Sequence, residues 1–579
     1  MKTNSDSTTE VVFQGISGAP GLAFGPVYLW RKNKLIVPKH SGQNPAVELD
    51  RLNLALQAAS SQLQGLSDQL AIEGHTAEAA VFLAHIELVN DRGLQRRVQT
   101  ALASGTNVES IWDETVEKYA KQLEAMPDPT FALRAADLRD VSERVLRILM
   151  NEPVQVKALT QPSVVIAQDL TPSETVGLNK EFVLAFCTAS GGPTSHTAIL
   201  AKALCLPAVV SLGEKLMEVA IGTPLLVDGS KGTVTVSPDE TTLKDFLSRS
   251  SQATALSKIE LASAKLPATT LDGITFEIVA NIGGEKDARS ALEFGAEGVG
   301  LFRTEFVFLD RSSSPSDEEQ LEAYRAVLRE MGQRPVVIRT LDAGGDKELT
   351  YLEMPPEANP FLGERAIRLC LSRPELFKQQ LRALLRAGAG HNLRIMFPMI
   401  ATMAELRNAK ALFEEARIEV LSMGYTLPES VQVGIMVEIP STAIMADRFA
   451  TEVDFFSIGT NDLTQYSLAA DRTNPKVAYL NDHCHPAVLR LIAQTTKAAH
   501  NAGIWVGVCG EMAGDPDAIP LLVGLGIDEL SMSPGLIPHA KSLIRELNMK
   551  QAVSLAQDAM EKDSAAEVRE CVRQQRSEI

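Results

Sequence analysis

The sequence predicts a multidomain α/β protein: a small α/β domain with an inserted helical bundle, a linker helix, and a C-terminal (β/α)8 TIM barrel. Three observations carry that expectation. A chain of 579 residues is too long for one hydrophobic core. Between about 45 and 152, apolar residues recur in steps of three and four, the period of a helix face. After residue 270, eight apolar β-rich runs alternate with segments of helical length.

Bulk properties narrow the class. The composition, 45% hydrophobic and 22% charged, is that of a globular protein. A net charge of −18 argues against nonspecific nucleic-acid binding and suits a basic protein partner. The opening MKTNSDSTTE lacks a signal-peptide apolar core, and no run of 18 apolar residues marks a membrane span. Cys187, Cys205, Cys370, Cys484, Cys509 and Cys571 form no CxxC pair. Neither a disulfide framework nor a zinc site is expected, and a reducing cytoplasm is the simplest setting.

In chain order, VVFQGISGAPGLAFGPVYLW (11–30) reads as short strands bent at glycines. Four helices are expected in 41–152. The first follows Leu49, Leu52, Leu56, Ala59, Leu63, Leu66 and Leu70; the others span 78–103, 108–126 and 133–152. Gly105 and Asp128-Pro129 separate them, and Asn107 is placed to cap the third. Short connections imply an antiparallel bundle or paired hairpins. Its acidic residues Glu78, Glu87 and Asp91 are either a solvated face or a docking surface for a basic protein. Strands return at 164–167, 182–186, 208–211, 225–228 and 233–237. The α/β domain therefore comprises 11–40 and 153–240, with 41–152 inserted. Residues 241–270 read as a linker, a helix followed by an exposed segment around Pro267. The barrel occupies 271–579, with a doubly wound open sheet as the competing architecture.

Two places carry chemistry. Gly191-Gly192-Pro193-Thr194-Ser195-His196 precedes the helix-favouring run Ala198–Leu206. That pattern puts His196 at a helix N-terminus, where backbone N–H groups and the dipole favour an anion. His196 is there either a phosphoryl-carrying nucleophile or a hydrogen-bonding residue beside a cap. Thr171, after the first strand of this unit, is either a hydroxyl for that site or a turn residue.

The barrel runs end in polar residues: Asn281; Arg303 and Glu305; Arg339 and Asp342; Glu438; Asn461 and Asp462; Cys509 and Glu511; Ser533. Active sites of this fold gather at the C-terminal ends of its strands. Arg303, Arg339, Arg365 and Arg472 offer guanidinium forks for phosphate or carboxylate oxygens. Glu438 and Asp462, on neighbouring strands, suit one Mg²⁺. The set implies a small, highly anionic, phosphate-bearing ligand. Cys509 is either inert packing or a proton donor.

These motifs resemble one family. GGPTSHTAILAKALCLPAVV is similar to the phosphohistidine signature of phosphoenolpyruvate-utilising enzymes. GLFRTEFVFLDR, IRTLDAGGDKEL, NPFLGERAIR, RIMFPM, VGIMVEIPS, DFFSIGTNDLTQYSLAADR and VCGEMAGD resemble its barrel motifs. Within the family the likeness is to the Enzyme I branch of the phosphotransferase system, from about residue 14 to about 545. ATP-dependent relatives carry a large nucleotide-binding domain, and the helical insertion here is too small for one.

The resemblance implies that His196 accepts the phosphoryl group of phosphoenolpyruvate and passes it to a small HPr-like carrier docked on the helical insertion. It implies substrate contacts by Arg303, Arg339, Arg365, Arg472 and Asn461, Mg²⁺ ligation by Glu438 and Asp462, and protonation of the enolate by Cys509 to give pyruvate. It further implies a cytoplasmic homodimer joined through the barrel, acting at the first step of sugar transport by this system. His196 must then travel between barrel and carrier on hinges near 153–160 and 238–270. Two residues depart from the family pattern: Pro193 stands where arginine is frequent, and Glu364 where an aromatic is usual.

Overall fold

The computed structural model describes residues 10–30, 35–73, 76–125, 129–152, 159–171, 180–192, 195–203, 206–309, 311, 313–345, 349, 351–352, 354–355, 357–472, 474 and 477–577. Side chains at 69–73, 76–80, 129–133, 180, 196, 199, 202–203, 249–250, 252–254, 257 and 576–577 are outside the description. The chain divides into two compact units, Met1–Ala253 and Thr254–Ile579.

The first unit contains an eight-stranded sheet. Its spatial order is Val11–Gln14, Thr233–Val236, Pro224–Asp228, Leu22–Leu29, Ser163–Ala167, Val183–Thr188, Ala208–Val210, Ile16–Ala19. All five strands expected after residue 160 are present, and 11–30 splits into three. Ser163–Ala167 is buried along its whole length, which is why it reads as an unbroken apolar run.

Helices fill Pro45–Glu73, Thr76–Val89, Arg92–Ala101, Val108–Glu124 and Pro129–Leu149. Leu52, Leu56, Ala59 and Leu63 bury the expected stripe of the first. The single helix expected over 78–103 is in fact two, because Asp91 stops one and starts the next: its side chain accepts the Leu94 N–H at 2.6 Å. Asp91 is thereby a cap and only partly exposed, while Glu87 is exposed; the Glu78 side chain lies outside the description. Asn107 does precede the helix Val108–Glu124 but does not cap it through its side chain. Its amide instead accepts the His40 N–H at 3.0 Å and donates to Pro38 O and Glu109 Oε2, both at 2.9 Å.

The second unit is a closed barrel of eight parallel strands: Thr275–Ile282, Val299–Arg303, Val336–Arg339, Leu393–Phe397, Gln432–Val437, Phe455–Ile458, Trp505–Val508 and Glu529–Met532. The first strand pairs with both the second and the eighth, which excludes the open sheet. Leu301, Val337, Met396, Met436, Phe455 and Cys509 pack together in the lumen. Helix Glu240–Ala262 joins the two units, but the segment after it is part of the barrel. Pro267 is exposed, whereas Ala264 and Ala268 are fully buried and Ala268–Thr269 adds an antiparallel strand to the first barrel strand. Among the described residues no helix is long and apolar enough to cross a membrane. Cys187, Cys370, Cys484, Cys509 and Cys571 are free thiols, and Cys205 lies outside the description.

Candidate active site

In the first unit, Gly191 takes φ +92°, a conformation open to glycine, and turns the chain toward a helix. Ser195 N–H closes the turn on Gly192 O at 2.9 Å, and Ser195 Oγ accepts Ala198 N–H at 3.4 Å. The helix His196–Ala203 then begins, so the backbone of His196 stands in its first turn, as the glycine–hydroxyl pattern predicts. Pro193 and the His196 side chain lie outside the description. Thr197 is fully buried, donating to Asp169 Oδ1 at 3.1 Å and accepting Leu170 N–H at 3.3 Å, which ties the helix start to the preceding strand end. Thr171 Oγ1 donates to Asp140 Oδ1 of the helical block at 2.8 Å.

In the second unit the strand ends meet at one mouth. Arg303 and Arg339 are register partners on adjacent strands. Arg339 is buried, with Nη2 donating to Glu305 Oε1 at 2.8 Å and Nη1 3.1 Å from Asp342 Oδ2. A buried relay of Gln380 to Thr304 Oγ1 (3.1 Å) and Thr304 Oγ1 to Arg339 O (2.8 Å) fixes its backbone.

Arg365 is 1% exposed and forks twice. Nε and Nη2 donate to Asp342 at 3.1 and 3.2 Å; Nη1 and Nη2 donate to Asp462 at 3.0 and 3.4 Å. Burial alone would lower its pKa; the Asp342 and Asp462 carboxylates outweigh that and hold the guanidinium charged. Nη1 also donates to Tyr466 Oη at 3.2 Å, which donates onward to Phe361 O at 2.6 Å. The Phe361 ring lies 5.9 Å from the guanidinium.

Backbone geometry brings these residues together. Gly344 has φ +103°, and a Cβ there would meet Glu364 O at 2.7 Å, so only glycine lets the DAGG and GERA segments touch. Ala366 at φ +54° and Met399 at φ +56° are non-glycine residues in a strained region, both bordering the site. Glu364 is half-buried beside Arg365, its N–H donating to Glu357 Oε1 at 3.0 Å.

Glu438 is 1% exposed and accepts Met399 N–H at 2.6 Å. Burial first, then the Asp462 and Asp342 carboxylates, pushes it up to about 8. Asp462 also has Arg472 Nη1 at 3.5 Å, an ion contact without a hydrogen bond. Asn461 Oδ1 accepts Glu511 N–H at 3.0 Å, linking the loops after the sixth and seventh strands. Cys509 points into the lumen, its Sγ 3.7 Å from Ile458 O, and burial pushes the thiol up to about 11. Arg303 is half-buried and has no ion pair among the described residues.

Arg303, Arg339, Arg365, Arg472, Glu438, Asn461, Asp462 and Cys509 thus share one mouth, while His196 belongs to the other unit. Sequence reasoning noted Asp342 as a strand-end residue and gave it no role; here it grips two arginines. Tyr466 was missed, although it stands four residues after Asp462 on the helix Thr460–Leu468 and so shares its face.

Comparison with known proteins agrees with the motif reading. Family models match in three spans: PEP-utilising enzyme, N-terminal, over 14–134; PEP-utilising enzyme, mobile domain, over 159–232; and PEP-utilising enzyme, PEP-binding domain, over 258–549. The phosphoenolpyruvate-protein phosphotransferase of Geobacillus stearothermophilus is 44% identical over 562 residues, covering 96% of this chain and 97% of its own. That of Priestia megaterium is 45% identical over 538 residues, with 92% and 94% covered. The multiphosphoryl transfer protein of Rhodobacter capsulatus is 45% identical over 556 residues, with 96% of this chain and 66% of its own covered.

Proposed function

Since the chain belongs to the phosphoenolpyruvate-utilising enzymes, among the phosphoenolpyruvate–protein phosphotransferases, we propose that it moves the phosphoryl group of phosphoenolpyruvate to His196, then to a histidine of a small HPr-like carrier, and releases pyruvate. One observation supports the site assignment above the others. Arg339 Nε and Arg472 Nη1 are buried guanidinium nitrogens with no hydrogen-bond acceptor among the described residues. Other arginines of this structure also carry a buried guanidinium nitrogen without an acceptor, so it is the convergence of these two on one mouth that supports a ligand. With Arg303 open beside them, they suit a phosphate and a carboxylate on one small molecule.

Glu438 and Asp462 fit a Mg²⁺ ion. Glu438 directly follows the fifth strand and Asp462 lies on the helix after the adjacent sixth; both are oxygen donors, and their mutual repulsion, which adds to burial in raising the Glu438 pKa, is what a divalent cation relieves. When bound, the ion would supply positive charge to substrate oxygens. Asp462 now holds Arg365 and Arg472; the same carboxylate keeps those arginines aimed into the mouth.

In the chemical step, neutral His196 attacks phosphorus in line and the bond from phosphorus to the enol oxygen breaks. Arg303, Arg339, Arg365 and Arg472 stabilise charge on the transferring group and the departing enolate. Cys509, kept as a thiol by its raised pKa, donates its proton to the enolate carbon to give pyruvate. Asn461 contacts the phosphate. The phosphohistidine unit reaches the mouth and later the carrier by hinge motion near 153–160 and 238–270. Exposed Glu87, on the helical insertion, suits contact with a basic carrier. A cytoplasmic homodimer, joined through the barrel, completes the proposal.

The test is incubation with ³²P-phosphoenolpyruvate and Mg²⁺. Acid-labile, base-stable label on the wild type, none on His196→Ala, and stoichiometric pyruvate are expected. Absence of label on the wild type rejects the reading. A panel of candidate carrier proteins then identifies the acceptor.

A further inference from the structure

Asp482, His483 and Cys484 each offer a ligand atom, and these atoms lie within 4.8 Å of one another, the spacing of a cation site. The cation in this cluster is a side chain. Arg569 Nε and Nη2 fork onto Asp482 at 2.8 and 2.9 Å, and Nη1 donates to Asp515 Oδ2 at 2.8 Å. His483 Nε2 lies 2.8 Å from the same Asp515 oxygen and 3.4 Å from Arg569 Nη2. Arg569 is on the helix Ala565–Ser577, anchored by the fully buried Val568 and Val572. That helix lies beyond the span matched by the family model.

The two carboxylates belong to the two loops that carry much of the mouth. Asp482 follows Asn481, whose Nδ2 donates to Ala470 O at 2.8 Å, close in the chain to Arg472. Asp515 N–H bonds to Met512 O at 3.2 Å, closing the turn that starts at Gly510 and Cys509. At the mouth the loops are joined by the Glu511–Asn461 hydrogen bond. On the outside they are joined by one guanidinium. Without it, Asp482 and Asp515, with Asp517 3.5 Å from the same guanidinium, are partly buried like charges that have lost their shared arginine.

We infer that Arg569 is a positioning residue, a C-terminal staple that holds the loops after the sixth and seventh barrel strands in the arrangement that binds phosphoenolpyruvate. The inference rests on the proposed function. Arg569 touches no reacting atom; it sets the fraction of molecules whose mouth is assembled before substrate arrives. A smaller competent fraction raises the apparent substrate requirement in proportion, while substrate-loaded molecules still turn over.

The experiment measures KM for phosphoenolpyruvate and kcat separately in full-length wild type, Arg569→Met, Arg569→Lys and Arg573→Gln, with a thermal melt of each. Arg573 is on the same helix and, among the described residues, its ion pair is with Asp517, at 2.9 Å, from an exposed position. Arg569→Met is expected to raise KM about ten-fold with kcat within about two-fold. Arg569→Lys, which keeps the charge and loses the fork, is expected between it and wild type. Arg573→Gln is expected to match wild type. If Arg569→Met shows no cooperative melt, Arg569→Lys decides: wild-type KM there overturns the inference. So does a fall in kcat at unchanged KM, or an equal shift in Arg573→Gln. A wild type that forms no pyruvate overturns the phosphotransfer reading and this inference together. A wild type that turns over, with KM unmoved in both Arg569 variants, overturns this inference alone.

Discussion

Arg365 and Asp462 are ion-paired in the barrel mouth, Nη1 to Oδ1 at 3.0 Å, with the arginine side chain 1% and the aspartate 10% exposed. The proposed substrate anchor and the proposed metal ligand therefore hold each other. Asp342 grips the far side of the same guanidinium at 3.1 Å. Removing Asp462 leaves Arg365 and Arg472 short of a counter-charge. Asp462→Ala is expected to abolish Mg²⁺-dependent pyruvate formation and to cost about 3 kcal/mol of stability, as breaking a buried pair does. Denaturant titration beside the turnover assay checks both.

Cys509 is buried in the lumen, where burial holds its thiol at about 11. It is a thiol throughout the neutral range, the form a proton donor needs. Cys509→Ala is expected to lower kcat by about 10² to 10⁴ while equilibrium dialysis finds phosphoenolpyruvate binding largely intact. Unchanged turnover would remove Cys509 from the reaction and leave it as packing.

Gly510 permits the close approach of the seventh strand to Thr460. A Cβ on Gly510 would sit 1.9 Å from Thr460 Oγ1 and 2.8 Å from Thr460 N. Thr460 starts the helix that presents Asn461 and Asp462. Gly510→Ala is expected to cost about 1–3 kcal/mol and to lose activity. Gly535→Ala, where a Cβ meets nothing within 4 Å, should leave both unchanged.

Glu529 opens the eighth strand, at the opposite end of the barrel from the mouth. Burial first, then the Glu277 carboxylate, raises its pKa from 4.5 to about 8. Between those values the folded protein keeps a proton that the unfolded chain releases. Its stabilising contribution is therefore full below the unfolded pKa and is lost as pH rises through the folded one. The urea midpoint of wild type is expected to fall from about pH 5 to about pH 8 relative to Glu529→Gln, which cannot titrate. Parallel profiles would show that Glu529 does not titrate in this window.

Local pattern accounts for most of the architecture. Ser163–Ala167 and the eight barrel runs are visible because buried parallel strands are mostly apolar. The start of the helix at His196 is visible because glycines and a capping serine precede it. The single helix expected over 78–103 passes over the break at Asn90-Asp91, although Asn90, Asp91 and Gly93 are turn- and cap-forming residues; in the structure Asp91 accepts the Leu94 N–H and starts a new helix there. The antiparallel strand at Ala268–Thr269 was hidden because two residues carry no period.

The sequence by itself determined the family, the alternation of strands and helices after residue 270, the helix-terminal histidine and the residue types of the mouth, since each follows from short-range periodicity or a contiguous motif. Only the tertiary structure decided which charge pairs with which. Asp342 between Arg339 and Arg365, Tyr466 against Arg365, and Arg569 across Asp482 and Asp515 join residues far apart in the chain. Closing the barrel sets those distances, and Coulomb and hydrogen-bond energies depend on distance and burial rather than on sequence spacing.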